Sequence, residues 1–208
     1  MWKWIKRLVV FTVFGTLLLG ILGIFRDQKQ LQENLLRLHV VANSDSEEDQ
    51  AIKLEVRDGV LNLLESAMEG LSTLEEAKEY VTEHLPQIEQ EANRILQEAG
   101  SQMKAVATFA LETFPTRVYD TFRLPAGIYE SLRITIGEGE GHNWWCVLFP
   151  TLCIPATTDG FEATAEASGM SDELSRTLTH ETGYYEVRFR LMDWVGELKG
   201  RFNNEEIK

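Results

Sequence analysis

Basic residues are scarce in this 208-residue chain: 20 lysines and arginines face 33 aspartates and glutamates, a formal charge of −13. A nucleic-acid binder needs a cationic surface to meet the phosphate backbone, so that class is excluded. Cysteine is nearly absent, and the four histidines and two cysteines are mostly scattered. They give no ligand spacing of the usual metal-binding kind, and neither a metal nor a small-molecule cofactor is expected. Five prolines and 15 glycines in a chain that is 44% hydrophobic exclude a collagen, a low-complexity tail or a wholly disordered protein. No internal repeat is present. The length allows one domain of usual size plus a small extra segment.

The charge is unevenly placed. Residues 1–26 hold four of the 20 bases (Lys3, Lys6, Arg7 and Arg26) and no acid, so the remainder carries 33 acids against 16 bases. That acidic body stays soluble and is not drawn to anionic lipid. Behind Lys3, Lys6 and Arg7 runs LVVFTVFGTLLLGILGIF, Leu8 to Phe25, with Trp2 and Trp4 at the interfacial position. As a helix this run is about 27 Å long, just short of a hydrocarbon core of about 30 Å. Residues 1–26 are therefore read as a signal peptide or signal anchor. Its basic flank faces the cytoplasm and the body is delivered outside. The absence of a small-x-small cleavage site favours the uncleaved anchor. Residues 27–34 read as a polar tether, and 35–208 as one exported domain.

That domain is expected to be α+β, with a mixed or antiparallel sheet packed by helices. Leu35 to Ala42 has strand character. The Ser44-x-x-Glu47 spacing predicts a capping box opening a helix to about Met68. Ser72-x-x-Glu75 predicts a second helix, and Pro86 the first turn of a third that stops at Gly100. Thereafter the alternation predicts strands over Ala105–Glu112, Thr116–Phe122, Ile128–Ile136 and Trp144–Phe149. Residues 155–180 read as a flexible excursion, Tyr184–Leu191 as a returning strand and Trp194–Phe202 as a terminal helix.

Within the first of these helices Ile52, Val56, Val60, Leu63 and Ala67 form one stripe. Asp49, Lys53 and Arg57 fall beside it at spacings of four, where the two cations would need carboxylate partners. Gly137, Gly139 and Gly141 form a loop, but no Lys-Ser or Lys-Thr follows, and Glu138 and Glu140 repel an anion, so this is no phosphate loop. Consecutive Trp144 and Trp145 point to opposite faces of a strand, one toward the core and one toward a partner. A turn at Phe149-Pro150 would set Cys146 opposite Cys153 and allow a disulfide outside the cytosol. On one continuous strand their Cα atoms would stand about 23 Å apart. A thiol–imidazole pair of Cys146 with His142 or His39 is the competing enzymatic reading, that of a secreted hydrolase.

Three groups of residues carry a resemblance. They are LHVVANSDS (Leu38–Ser46) with Asp49-Gln50 and Val56-Arg57-Asp58; Phe114-Pro115-Thr116-Arg117 with Leu124-Pro125-Ala126-Gly127 and Tyr129-Glu130; and Gly141-His142-Asn143-Trp144-Trp145-Cys146-Val147-Leu148-Phe149-Pro150. In that order, from about Leu35 to Cys153, they resemble the stage II sporulation protein R family. The resemblance implies a signal made in the forespore of an endospore-forming bacterium and exported into the intermembrane space. There it would trigger a membrane-embedded aspartic protease of the stage II sporulation protein GA type, which processes pro-sigma-E. It implies binding rather than catalysis, so no catalytic residue is named. The candidate receptor contacts in the signature segments are His39, Asn43, Asp45, Asp49, Lys53, Arg57, Tyr129, His142, Asn143, Trp144 and Trp145.

Overall fold

The computed structural model describes residues 2–68, 70–119, 122–149, 172–179 and 183–206. It begins with one helix, α1 (Trp2–Asn34). The apolar part is exposed along most of its length, whereas Ile24, Asp27, Gln28 and Leu31 are buried. Those four positions, together with Leu35, repeat at spacings of three and four, so the last turns of α1 own a helical stripe that docks on the domain. The segment expected to be a polar tether is thus the seated end of the helix. Its polar residues masked the stripe.

Strand β1 (Leu36–Val41) follows with all six residues buried. Then come α2 (Glu47–Met68), α3 (Leu74–Glu83), α4 (Leu85–Glu98) and β2 (Ala105–Phe114). A short ribbon of β3 (Arg117–Val118) and β4 (Arg123–Leu124) leads into β5 (Gly127–Ile136) and β6 (Asn143–Phe149). Helices α5 (Asp172–Thr179) and α6 (Gly183–Glu206) close the described chain. The main sheet has the order β2-β5-β1-β6. Strands β1 and β5 are parallel, and β2 and β6 run antiparallel to their neighbours, so the sheet is mixed. The expected α+β class holds.

Strand alternation divides the interior into two cores. Leu36, Leu38, Val40, Leu132, Ile134 and Cys146 face α2, α3 and α4, where Ile52, Val56, Val60, Leu64, Ala77, Val81, Ile88 and Ala92 meet them. The reverse face holds Phe114, Tyr129 and Val147 beneath Ile24 and Leu31 of α1 and Phe189 and Met192 of α6. Helix α3 starts with a full capping box of Thr73 and Glu76, one residue beyond the expected pair. Pro86 sits in the first turn of α4, and Gly100 follows that helix at φ +75°. The stretch Tyr184–Leu191, expected as a strand, belongs to α6. Burial at Phe189, Met192, Gly196 and Gly200 recurs every three or four residues, and this helical spacing overrides the local alternation. Of the expected strand Thr116–Phe122, Arg117–Val118 form β3, while Asp120 and Thr121 lie outside the described residues. Of the expected excursion 155–180, residues 172–179 are helical and the others lie outside the described residues.

Candidate functional site

Two clusters gather the signature residues, one on each side of β1. The first joins the β1–α2 turn to the glycine loop between β5 and β6. Helix α2 is capped by Ser46, whose hydroxyl accepts from Asp49 N at 3.2 Å, rather than by Ser44. Ser44 is thereby released to donate to the Asp49 carboxylate at 2.5 Å, alongside Asn43 Nδ2 at 2.8 Å. These two donors hold the Asp49 carboxyl below its ordinary value. Asn43 Oδ1 accepts Glu138 N at 3.0 Å, and the backbone of Asn43 and Ala42 accepts Glu140 N and Gly141 N. Gly137 and Gly139 adopt φ +57° and +67°, and a Cβ at Gly141 would stand 2.2 Å from Ser44 O. Three glycines are needed because the loop turns left-handed twice and then presses against the β1–α2 backbone.

Lys53 is buried under this loop. Its ammonium donates to Gln50 Oε1 at 2.6 Å and to the His142 carbonyl at 3.1 Å. The carboxylate partner expected for it is replaced by neutral oxygens. Burial is the main force lowering the Lys53 pKa, with Arg57 adding to it and Asp45 opposing. Asp45 accepts both the backbone N–H of His142, at 2.6 Å, and its ring Nδ1, at 2.5 Å. The side-chain hydrogen bond from His142 is the chief cause of a depressed Asp45 carboxyl. Both side chains are mostly exposed. Arg57 pairs with Asp58 rather than a distant acid, and its guanidinium lies 4.2 Å above the Trp144 ring. Trp144 is 36% exposed and Asn143 is exposed. Asn43, Asp45, Asp49, Lys53, Arg57, His142, Asn143 and Trp144 therefore form one continuous region.

His39, Tyr129 and Trp145 do not join it. They lie on the opposite face of the sheet, as the expected divergence of Trp144 and Trp145 requires. His39 stacks on Trp145 with ring centroids 3.8 Å apart, and its Nδ1 is 3.3 Å from both oxygens of Glu112. Arg133 donates to the same carboxylate at 2.9 Å. Burial would raise the Glu112 carboxyl, but the hydrogen bonds and charge of its neighbours outweigh it and hold the group below its ordinary value. Tyr129 is fully enclosed, donates to Pro125 O at 2.9 Å, and has its hydroxyl pushed far up by burial. Arg37, fully buried, lies 4.3 Å over Phe114 and 5.2 Å from Tyr129. The sequence reading missed Arg37, Glu112, Tyr119 and Arg133. A charged residue between Leu36 and Leu38, in a strand otherwise apolar except for His39, was the available signal for Arg37.

The thiol–imidazole alternative meets a geometric obstacle. Cys146 points into the helix-side core while His39 faces the other side, and His142 is turned outward to Asp45. Cys146 is also disulfide-bonded rather than a free thiol. Cys153, the other half of the expected pair, lies outside the described residues. Among the described residues no cluster of His, Cys, Asp and Glu could hold a metal ion.

With this geometry in place, the likenesses to known proteins are specific. A family described as stage II sporulation protein R matches residues 32–159. The stage II sporulation protein R of Bacillus subtilis (strain 168) is 30% identical, with 93% of this chain and 99% of that protein covered. No solved structure matches the chain.

Proposed function

Since the chain belongs to the stage II sporulation protein R family, a family of sporulation signals, we propose that it is made in the forespore and exported across the forespore membrane. In the intermembrane space it activates a membrane-embedded aspartic protease of the mother cell, of the stage II sporulation protein GA type, and so starts the processing of pro-sigma-E. The observation that carries this reading is α1. A basic flank, an uncharged run of 18 residues and a seated carboxyl end deliver the acidic domain to the far side of a bilayer and keep it at the surface. Activation is by binding. The signal shifts the protease between inactive and active states through its unequal affinity for the two. The exposed region around Asp45, Arg57, His142, Asn143 and Trp144 is the surface offered.

The test is reconstitution in a non-sporulating host that holds the receptor protease and pro-sigma-E. Full-length chain directed outward gives cleaved sigma-E. Chain lacking residues 1–26 stays inside and gives none. An exported, folded chain that leaves pro-sigma-E intact overturns the proposal.

A further inference from the structure

Among the described residues, the reverse face of the sheet carries several buried nitrogens without a hydrogen-bond partner. Arg37 is fully buried; its Nε reaches Cys146 O at 3.0 Å and one terminal nitrogen reaches Tyr119 Oη at 2.9 Å. The other terminal nitrogen, Nη1, has no partner among the described residues. Nor have Arg117 Nε and Trp145 Nε1, and His39 Nε2 is likewise unpartnered.

These groups surround one pair of rings. Phe114 packs edge-on against Trp145 at 4.6 Å. Arg37 covers Phe114, Arg117 lies 5.2 Å over Trp145, and His39 is stacked on Trp145. Tyr119 Oη ties the Arg37 end to the Trp145 carbonyl at 3.4 Å. Arg117, Tyr119 and Trp145 are partly exposed and form the rim; Arg37 and His39 form the floor.

Among the described residues, the nearby carboxylates are already engaged. Glu112 is taken by Arg133 and His39, and Asp193 is held by Thr116 and by Ala126 N. Among the described residues, neither Arg37 nor Arg117 has an ion pair. A buried guanidinium without a counter-charge is costly, and its planar fork matches a carboxylate. Arg123 also has no ion pair among the described residues and a buried Nη2 without a partner, but its guanidinium lies over Phe189 rather than over these rings. We propose that Arg37, Arg117 and Trp145 form a binding site for a peptide carboxylate, an acidic side chain or chain terminus supplied by another polypeptide. The site stands whatever the identity of the receptor.

The test titrates the full chain, in detergent or vesicles, with N-acetylglutamate and separately with inorganic phosphate, following tryptophan emission and thermal midpoint. N-acetylglutamate is expected to give a saturable emission change and a raised midpoint. Arg117→Gln removes both, while Arg123→Gln, whose guanidinium lies over Phe189 instead, leaves both intact. Because Arg117 is partly exposed, its variant is checked for an unaltered midpoint without ligand. An absent response, a response to phosphate alone, or one that survives Arg117→Gln overturns the proposal.

Discussion

His39 presents one edge of its ring to the Glu112 carboxylate, 3.3 Å away, while its face lies on Trp145. Glu112 also takes Arg133, so this single carboxylate compensates two cationic or potentially cationic groups on the half-buried face. Replacing it with glutamine leaves donors without their charged acceptor, at a cost of about 1–3 kcal/mol near neutral pH. The depressed Glu112 pKa gives the effect a sign. Its stabilisation is complete above the ordinary glutamate value and is lost as pH falls through the lower, folded-state value. Unfolding midpoints of wild type and Glu112→Gln should therefore differ near pH 7 and converge as pH falls below the ordinary glutamate range. A gap independent of pH would refute the role given to the carboxylate.

The seating of α1 and α6 depends on Gly196. A Cβ there would lie 1.6 Å from Ala126 O, and Gln28 of α1 is in the same crevice, donating to Met192 O. Gly196→Ala should separate both helices from the sheet and destabilise the domain by about 2 kcal/mol or more. Hydrogen exchange would show protection lost over 24–34 and 189–200. Gly15, with nothing within 4 Å, serves as the control: Gly15→Ala should change nothing measurable in the body.

Which parts of this architecture were legible in the sequence follows from the range of the forces involved. The β1–α2 unit, the Pro86 start, the Gly100 stop and the opposed tryptophans depend on near neighbours, and local patterns reveal them. The sequence Ser72-Thr73-Leu74-Glu75-Glu76 offers two capping registers, and burial of Leu74, Ala77 and Val81 selects the later one. The apolar stripe of α2 likewise ends on Leu64 and Met68 rather than Leu63 and Ala67. Tertiary partners decided the remainder. Lys53 takes a carbonyl 89 positions away, and Tyr184–Leu191 became helical because α6 packs across the sheet. Asn43, Asp45 and His142 were legible as candidates, but not the loop-to-turn knot that unites them.

That knot should open as a unit. Lys53→Ala removes the donations to Gln50 and His142, costing about 1–3 kcal/mol. Gly141→Ala forces a Cβ to within 2.2 Å of the Ser44 carbonyl. Both variants should lose hydrogen-exchange protection at Glu138, Glu140 and Gly141, while Ile88–Leu96 in α4 keeps its protection. Uniform loss across both regions would mean that the loop is not an independently opening element.

Trp144 offers the sharpest separation of binding from folding. It is 36% exposed, with Arg57 over its ring and Asp58 anchoring that guanidinium. A partly exposed tryptophan held in place by a stacked cation loses little conformational freedom when covered, the property of an interface anchor. Truncation at such an anchor typically costs about 2 kcal/mol of binding, roughly 30-fold in affinity. Under the proposed function, Trp144→Ala should accordingly raise the amount of signal needed for half-maximal pro-sigma-E cleavage by roughly that factor, with the unfolding midpoint little changed. Arg57→Ala should give a smaller effect in the same direction, since it frees the ring without removing it. Undiminished signalling by a folded Trp144→Ala protein would move the receptor surface away from this face of the sheet.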